Sequence, residues 1–450
     1  MTDAAFQAWL DDHAATRIVL AELDHAAGTE YVATHPYISR PGDSDPNRIH
    51  DDLLAEAIDI ETRIDARLTF GQVRLINDGE LDDWLGYAWA GHEIRLYLGG
   101  PDWSRDDFRL HARGINQGIT GARRGELAFG MLDQSAPLDE PIDTGSLPLD
   151  GGPVPLALGS VYNAPAFRVS TSALRYRASY LAAATFTPKE LGNGVPHTDD
   201  LVGGEFTLDN APGGALTVDI DEAHNTPAQV VSWVAAQYGI TVAESGLPAY
   251  AVGLYYADAV SGRQILDDLC VGMGGYWYLN ALGELVIKQH IEPSGVDLTL
   301  YADDIIASTL ELIETQAPWS ALTLRWGRNF SPLSTVAGTI EDNDATEAER
   351  LKRQWRESTA AQSLPGYPQA EGASRESALT TSADADTERD RLLAMRAVRR
   401  DVWRMDAFLP ESSVGQAVTV DVAPLAGRAG RIISVNRAPT RGITTLEIWL

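Results

Sequence analysis

Between Phe70 and Thr120, three stretches alternate apolar and polar residues with a period of two. Val73 and Leu75 alternate with Gln72 and Arg74. Ile94, Leu96 and Leu98 alternate with Glu93, Arg95 and Tyr97, and Phe108, Leu110 and Ala112 with Arg109, His111 and Arg113. That period marks a strand with one buried face. The connectors carry turn chemistry at Asn77-Asp78-Gly79 and Gly99-Gly100-Pro101. The region therefore predicts an antiparallel sheet whose long connectors hold Trp84, Trp89 and Trp103.

The same pattern divides the rest of the chain. Residues 1–145 begin with an amphipathic helix from Asp3 to Ala15. Strands follow at Ile18 to Leu23, at Glu30 to Ser39 and at Ile58 to Ile64, where Ile58, Ile60, Thr62 and Ile64 alternate with Asp59, Glu61 and Arg63. With the region from Phe70 they predict a twisted antiparallel sheet or small barrel. Leu132 to Pro155 has Pro, Gly and Asp but no periodic pattern, and reads as a linker. Residues 156–220 are mostly β, with Tyr162, Phe167, Tyr176 and Tyr180, and are broken at Val202-Gly203-Gly204 and Pro212-Gly213-Gly214. In residues 221–297 the period changes. Thr226-Pro227 starts a helix with a Val230, Val231, Val234, Tyr238 stripe that Gly239 ends. Ser261 to Gln264 reads as a capping box for a second helix burying Ile265, Leu266, Leu269 and Cys270. A hairpin turning at Asn280 to Gly283 completes a small α+β module. Residues 298–450 return to strands around Leu322, Leu324 and Trp326, around Val418, Val420 and Val422, and around Leu446, Ile448 and Leu450. Charged helices are expected at Ala345 to Glu357 and Asp384 to Arg400, with an exposed loop from Ser363 to Ala378 between them.

Length and charge narrow the function. A chain of 450 residues exceeds one hydrophobic core. No apolar run approaches the ~18 residues of a membrane span, and Met1-Thr2-Asp3-Ala4 lacks the features of a signal peptide. The single cysteine, Cys270, rules out an internal disulfide framework and points to a reducing compartment. The net charge of −29 argues against binding nucleic acid through its phosphates. Acidity of this size keeps a large protein soluble. It would also suit the lining of a channel through which DNA slides without sticking.

The order of segments is similar to that of hub proteins at the tail tip or baseplate of tailed bacteriophages. These carry a "(F)G-x-(I/V)-x-L-x-N-x-D-G-x-L-D" stretch, matched here at Gly71, Val73, Leu75, Gly79, Leu81 and Asp82. A "G-x-x-x-W-x-x-x-D-F" stretch follows at Gly99, Trp103, Asp107 and Phe108. The turn Asn77-Asp78-Gly79 is one residue shorter than the family pattern. Leu158 to Pro165 resembles a "G-x-V-x-N-V-x-P" entry to the next domain, and Trp326 to Phe330 a "Y-x-R-N-(W/F)" segment. Gly415 to Val420 resembles a "G-x-x-V-x-V" strand, before a "L-E-(I/V)-W" at Leu446 to Trp449. The resemblance implies an α+β, β-rich, multidomain chain. Two β-barrel or tube-like domains would lie at the N- and C-terminal ends (1–145 and 298–450), with the β domain 156–220 and the module 221–297 between them. It further implies a homotrimer presenting six related positions to a six-fold tail tube, more in the manner of flexible, non-contractile siphophage tails. The implied partners are tail tube and distal tail proteins, a central fibre or spike, and the tape measure protein. DNA would pass through the lumen without specific binding. Such a protein is assembled in the host cytoplasm and resides in the virion.

Residues with reactive chemistry do not assemble into a recognisable motif. H-E-x-x-H, G-x-S-x-G and G-x-x-x-x-G-K-[ST] are all missing from the sequence, and Gly272-x-Gly274-Gly275 follows a helix, the wrong order for a dinucleotide loop. Asp219, Asp221, Glu222 and His224 have the chemistry of a divalent-cation site, but a strand end entering a helix N-terminus explains them as well. Asp78, Glu80, Asp82 and Asp83, and Asp342 to Asp344, lack the spacing of a calcium loop. His50-Asp51-Asp52 lacks a nucleophile, and Cys270 sits on an apolar helix stripe. The expectation is therefore a non-enzyme without cofactor, metal or catalytic residues, acting through apolar and aromatic surfaces. Trp84, Trp89 and Trp103 are the expected exposed interface residues. The alternatives are a tail-associated cell-wall-degrading hydrolase with two acids ~5–9.5 Å apart and a receptor-binding module using the Ser363 to Ala378 loop.

Overall fold

The computed structural model describes residues 1–10, 12, 14–56, 59–64, 68–280, 282–292, 296–408, 412–438 and 442–450. Strand accounts for 43% and helix for 17%, which makes the class β-rich α+β. The expected first helix forms over Asp3–Leu10; residues 11 and 13 of the expected span, and Ile58 of the expected strand, lie outside the described residues.

The three alternating stretches form strands Val73–Asn77, Glu93–Gly99 and Arg109–Arg123. They belong to a seven-stranded sheet in the order Gly28–Ala33, Ile18–His25, Glu93–Gly99, Arg109–Arg123, Gly125–Leu132, Val73–Asn77, Leu54–Glu56. The Gly125–Leu132 strand was not apparent from the pattern, yet it inserts between two strands that were. Ile94, Leu96, Leu127 and Phe129 are buried on one face with Val19, Ala21 and Leu23. A register shift between Leu110 and Ala112 interrupts the alternation. Phe108 therefore packs on the opposite face, with Ile18, Leu20 and Tyr37.

The expected linker is instead anchored. Leu138, Ile142, Leu147 and Val154 are all buried, and Pro141 bridges to Ser261. Beyond it, a five-stranded sheet runs Asn193–Gly194, Ala183–Glu190, Leu216–Glu222, Leu156–Pro165, Gly253–Tyr256. Residues 156–220 and 221–297 thus share this sheet, because Gly253–Tyr256 pairs with Leu156–Pro165. The two helices of the module form at Pro227–Gln237 and Gly262–Val271. Gln229 Oε1 accepts the Thr226 N–H at 3.1 Å, and the Ser261 hydroxyl accepts the Gln264 N–H at 3.3 Å. Both helices contribute to one apolar core with the Gly275–Leu279 and Leu285–Gln289 hairpin, whose Trp277 is fully buried.

The C-terminal region contains two sheets. One places Leu298–Leu300, Ala417–Val420, Arg428–Ala438, Ile443–Trp449, Arg400–Phe408 and Glu311–Gln316 in that order. Ile60–Arg63, far upstream, adds antiparallel to its Arg428–Ala438 strand. The other sheet has Ala321–Trp326 between Arg356–Ala361 and Gly372–Glu376. The expected helix to Glu357 stops at Lys352, and Arg356 onward becomes strand. The second charged helix runs Ser382–Met395, and Arg400 already belongs to the next strand. The expected loop contains the Gly372–Glu376 strand, whose side chains are almost all exposed. Backbone pairing holds it without an apolar face, so no alternation announces it. Glu388 is fully buried and takes hydrogen bonds from Arg391, Tyr250 and Gln289, tying the Ser382–Met395 helix to the module.

Candidate functional site

Two of the three expected interface tryptophans are core residues. The connector after Asn77 folds back as a 3-10 turn, Asp82–Gly86, and lays its indoles over the sheet. Trp84 is 9% exposed and Trp89 2%. The Trp89 Nε1–H donates to the Trp84 carbonyl at 2.8 Å, and its ring meets Phe129 edge-on at 4.9 Å. Trp103 is half-buried against Trp9, Phe6 and Phe108, with centroids 4.4, 5.9 and 6.2 Å away. Leu81, three residues before Trp84, is buried with it.

The reactive side chains are dispersed among separate structural duties. Asp219 accepts the Asn163 N–H, Asp221 the Ser160 and Thr185 hydroxyls, and Glu222 the backbone N–H groups of Gly159 and His224. Asn77 closes an Asx turn onto Gly79 and Leu81, while Asp344 caps the Ala345–Lys352 helix. No group of three His, Cys, Asp or Glu suited to a metal ion occurs among the described residues. His50 is buried, whereas Asp51 and Asp52 are exposed, so the three do not form a relay. Cys270 is buried in the apolar core, and desolvation pushes its thiol well above the ordinary range, away from nucleophilic use.

What the structure does bring together are two of the resemblance-bearing segments. Asn163 is fully buried with φ at 55°, a conformation asparagine tolerates better than most residues. Its Nδ2 donates to Asn329 Oδ1 at 2.7 Å and to the Ser331 carbonyl at 2.6 Å. The Asn329 amide in turn donates to the carbonyls of Arg350 and Leu351 at 3.1 and 2.9 Å. Beside this clasp, the Arg350 guanidinium lies 3.4 Å from the Tyr162 ring centroid, and the Tyr162 hydroxyl donates to Glu347 at 2.7 Å. Burial and then Glu347 push that phenol's pKa up. The clasp joins the Leu156–Pro165 strand to the turn after Ala321–Trp326 and to the Ala345–Lys352 helix. Both asparagines were visible in the motifs, but nothing in their spacing indicated that they touch.

A second feature lies on the surface. Glu311–Gln316 ends the C-terminal sheet and, among the described residues, pairs as a strand only with Arg400–Phe408. Residues 311–315 are all exposed, including Leu312 at 41% and Ile313 at 36%. Adjacent apolar residues between glutamates, Leu312 and Ile313, break the period-two pattern here. An uncovered edge strand with outward apolar side chains is a template for pairing with another chain.

No protein-family model matches the sequence, and no curated protein matches it either. Among solved structures, the chain is similar to a 43 kDa tail protein of prophage MuSo2 from Shewanella oneidensis, at TM-score 0.48 and 10% identity, over 96% of this chain and 98% of that one. It is similar to a tail protein from Neisseria meningitidis MC58, at TM-score 0.48 and 11% identity, over 97% of both chains. A chain in the virion of a native gene transfer agent particle also matches, at TM-score 0.48 and 16% identity, over 67% of this chain and 84% of that one. These structural neighbours are proteins of phage-type tails and virions.

Proposed function

We propose that this chain is a structural virion protein of a phage-type tail. In this reading it is a trimeric hub that closes the distal end of the tail tube, anchors a fibre or spike, meets the tape measure protein and leaves a channel for DNA. The N- and C-terminal sheets would be its two tube-like domains. The reading is supported by the hub-like segments of the sequence, and the observation that carries it is the bare Glu311–Gln316 edge. Leu312 and Ile313, exposed on a terminal strand whose outer edge has no strand partner among the described residues, are a surface that a neighbouring copy would cover. A stable ring contact must bury upward of ~1,000 Å², which that strand begins but does not complete.

The test is the mass of the full chain in solution and its place in the particle. Light scattering should give three copies, and the Leu312→Lys, Ile313→Lys double variant should give one copy with unchanged secondary structure. Labelled protein should locate to the tail tip of finished particles. A monomeric wild type that is absent from particles, or that clears peptidoglycan in a zymogram, overturns the reading.

A further inference from the structure

Beside the three-stranded sheet opens a groove of about 900 Å³, lined by residues of Ala321–Trp326, Ala345–Lys352 and Arg356–Ala361 and by the turn leading into the last of these. It contains two tryptophans, buried Trp326 and half-buried Trp355. The Arg356 guanidinium carbon lies 4.4 Å from the Trp326 ring centroid. Arg328 lines an adjoining hollow of about 60 Å³ that shares Trp355 with the groove, and its guanidinium lies 5.4 Å from the Trp355 centroid and 4.9 Å from that of Phe330. Gly327, at φ 58°, makes the turn between these two strand-end positions.

The other arginines here are already engaged. Arg325 meets Glu357 and Glu376, Arg353 meets Glu349, and Arg350 meets Glu347. Arg328 and Arg356 are both exposed, and neither has an ion pair among the described residues; Arg328 does act electrostatically on Asp268 and Tyr256, which line its hollow. Stacking on a ring restrains a guanidinium plane while leaving its N–H edge free, and a free planar fork matches a carboxylate with two hydrogen bonds. In a chain of net charge −29, Arg356 against Trp326 and Arg328 near Trp355 and Phe330 add positive charge to a lining that also holds Asp268, Glu349, Glu357 and Glu376.

We propose that this groove docks an acidic polypeptide segment of a partner protein, with carboxylates on Arg328 and Arg356 and an apolar side chain against Trp355. Nucleic acid is the poorer occupant. Its phosphates follow one another at about one charge per 1.7 Å of duplex, and they would meet Glu349, Glu357 and Glu376 in the same lining. A peptide can space its carboxylates to avoid those glutamates.

The probe is a short fluorescein-labelled peptide rich in Glu and Asp with one central Phe, titrated with the full chain and followed by anisotropy. A Lys-for-Glu version and a single-stranded oligonucleotide serve as the other arms. The acidic peptide should bind, more weakly as salt rises, and the Arg328→Glu, Arg356→Glu double variant should weaken it by roughly tenfold or more. Arg124→Glu, on an exposed turn away from the groove, should leave it unchanged. Arg356→Lys keeps the charge but loses the fork and should fall between. Glu349→Gln with Glu357→Gln removes two like charges and should tighten binding, a readout that survives if the double arginine variant does not fold. Absent or arginine-independent binding of the acidic peptide, no tightening by the glutamine variant, or stronger binding of the Lys peptide or the oligonucleotide overturns the proposal.

Discussion

His50 lies between Tyr31 and Tyr37, with ring centroids 5.3 and 5.7 Å away. Burial, with Arg105 nearby, pushes its pKa down to about 4. In the unfolded chain an imidazole takes a proton near ~6.5. The contribution of neutral His50 is therefore fully present above that value and is lost as pH falls through about 4. Denaturant titrations at both ends of that window should show His50→Phe losing up to about 3 kcal/mol less than the wild type. Equal losses would mean that His50 does not titrate in the native state as its burial requires. Asn163 makes a separate prediction. Asn163→Ala removes two buried hydrogen bonds and leaves at positive φ a residue that tolerates it less well than asparagine. It should cost about 3 kcal/mol in unfolding free energy. Asn163→Gly, which relieves only the backbone term, should recover about 1 kcal/mol of that.

At the scale of elements, the tryptophan connector separates packing from assembly. Trp89→Ala should destabilise the fold by roughly 3–5 kcal/mol in a denaturant melt, while the variant that still folds keeps the oligomeric state of the wild type. Loss of assembly without loss of stability would return Trp89 to the interface. The strands whose apolar residues alternate toward a core were legible, as at Glu93–Gly99, Ala321–Trp326 and Ile443–Trp449. So were both helices of the small module, because caps and stripes are local. Strands without a buried face, such as Gly372–Glu376, were not, since backbone pairing leaves no mark on side-chain order. Whether a connector stays in solvent or folds back was equally hidden. Trp84 and Trp89 are buried by a turn, and turn chemistry states that the chain bends without stating toward what. Of the candidate surface, the Leu312-Ile313 pair was readable in principle, whereas the Asn163–Asn329 clasp and the arginine pair exist only through tertiary contact.

For the molecule as a whole, the charge of −29 predicts that duplex DNA is not retained at physiological salt. A gel-shift titration should leave the duplex free, and a retained, salt-sensitive band would contradict the DNA channel of the proposed function. The Ile60–Arg63 strand has a different consequence. Its sheet partner, Arg428–Ala438, leaves the ribosome hundreds of residues later. During synthesis the earlier strand must wait with that edge bare, a long-range closure that slows folding and invites off-pathway pairing. A polypeptide terminated before residue 428 never supplies the missing edge. Prematurely stopped products are thus marked as incomplete by their own architecture.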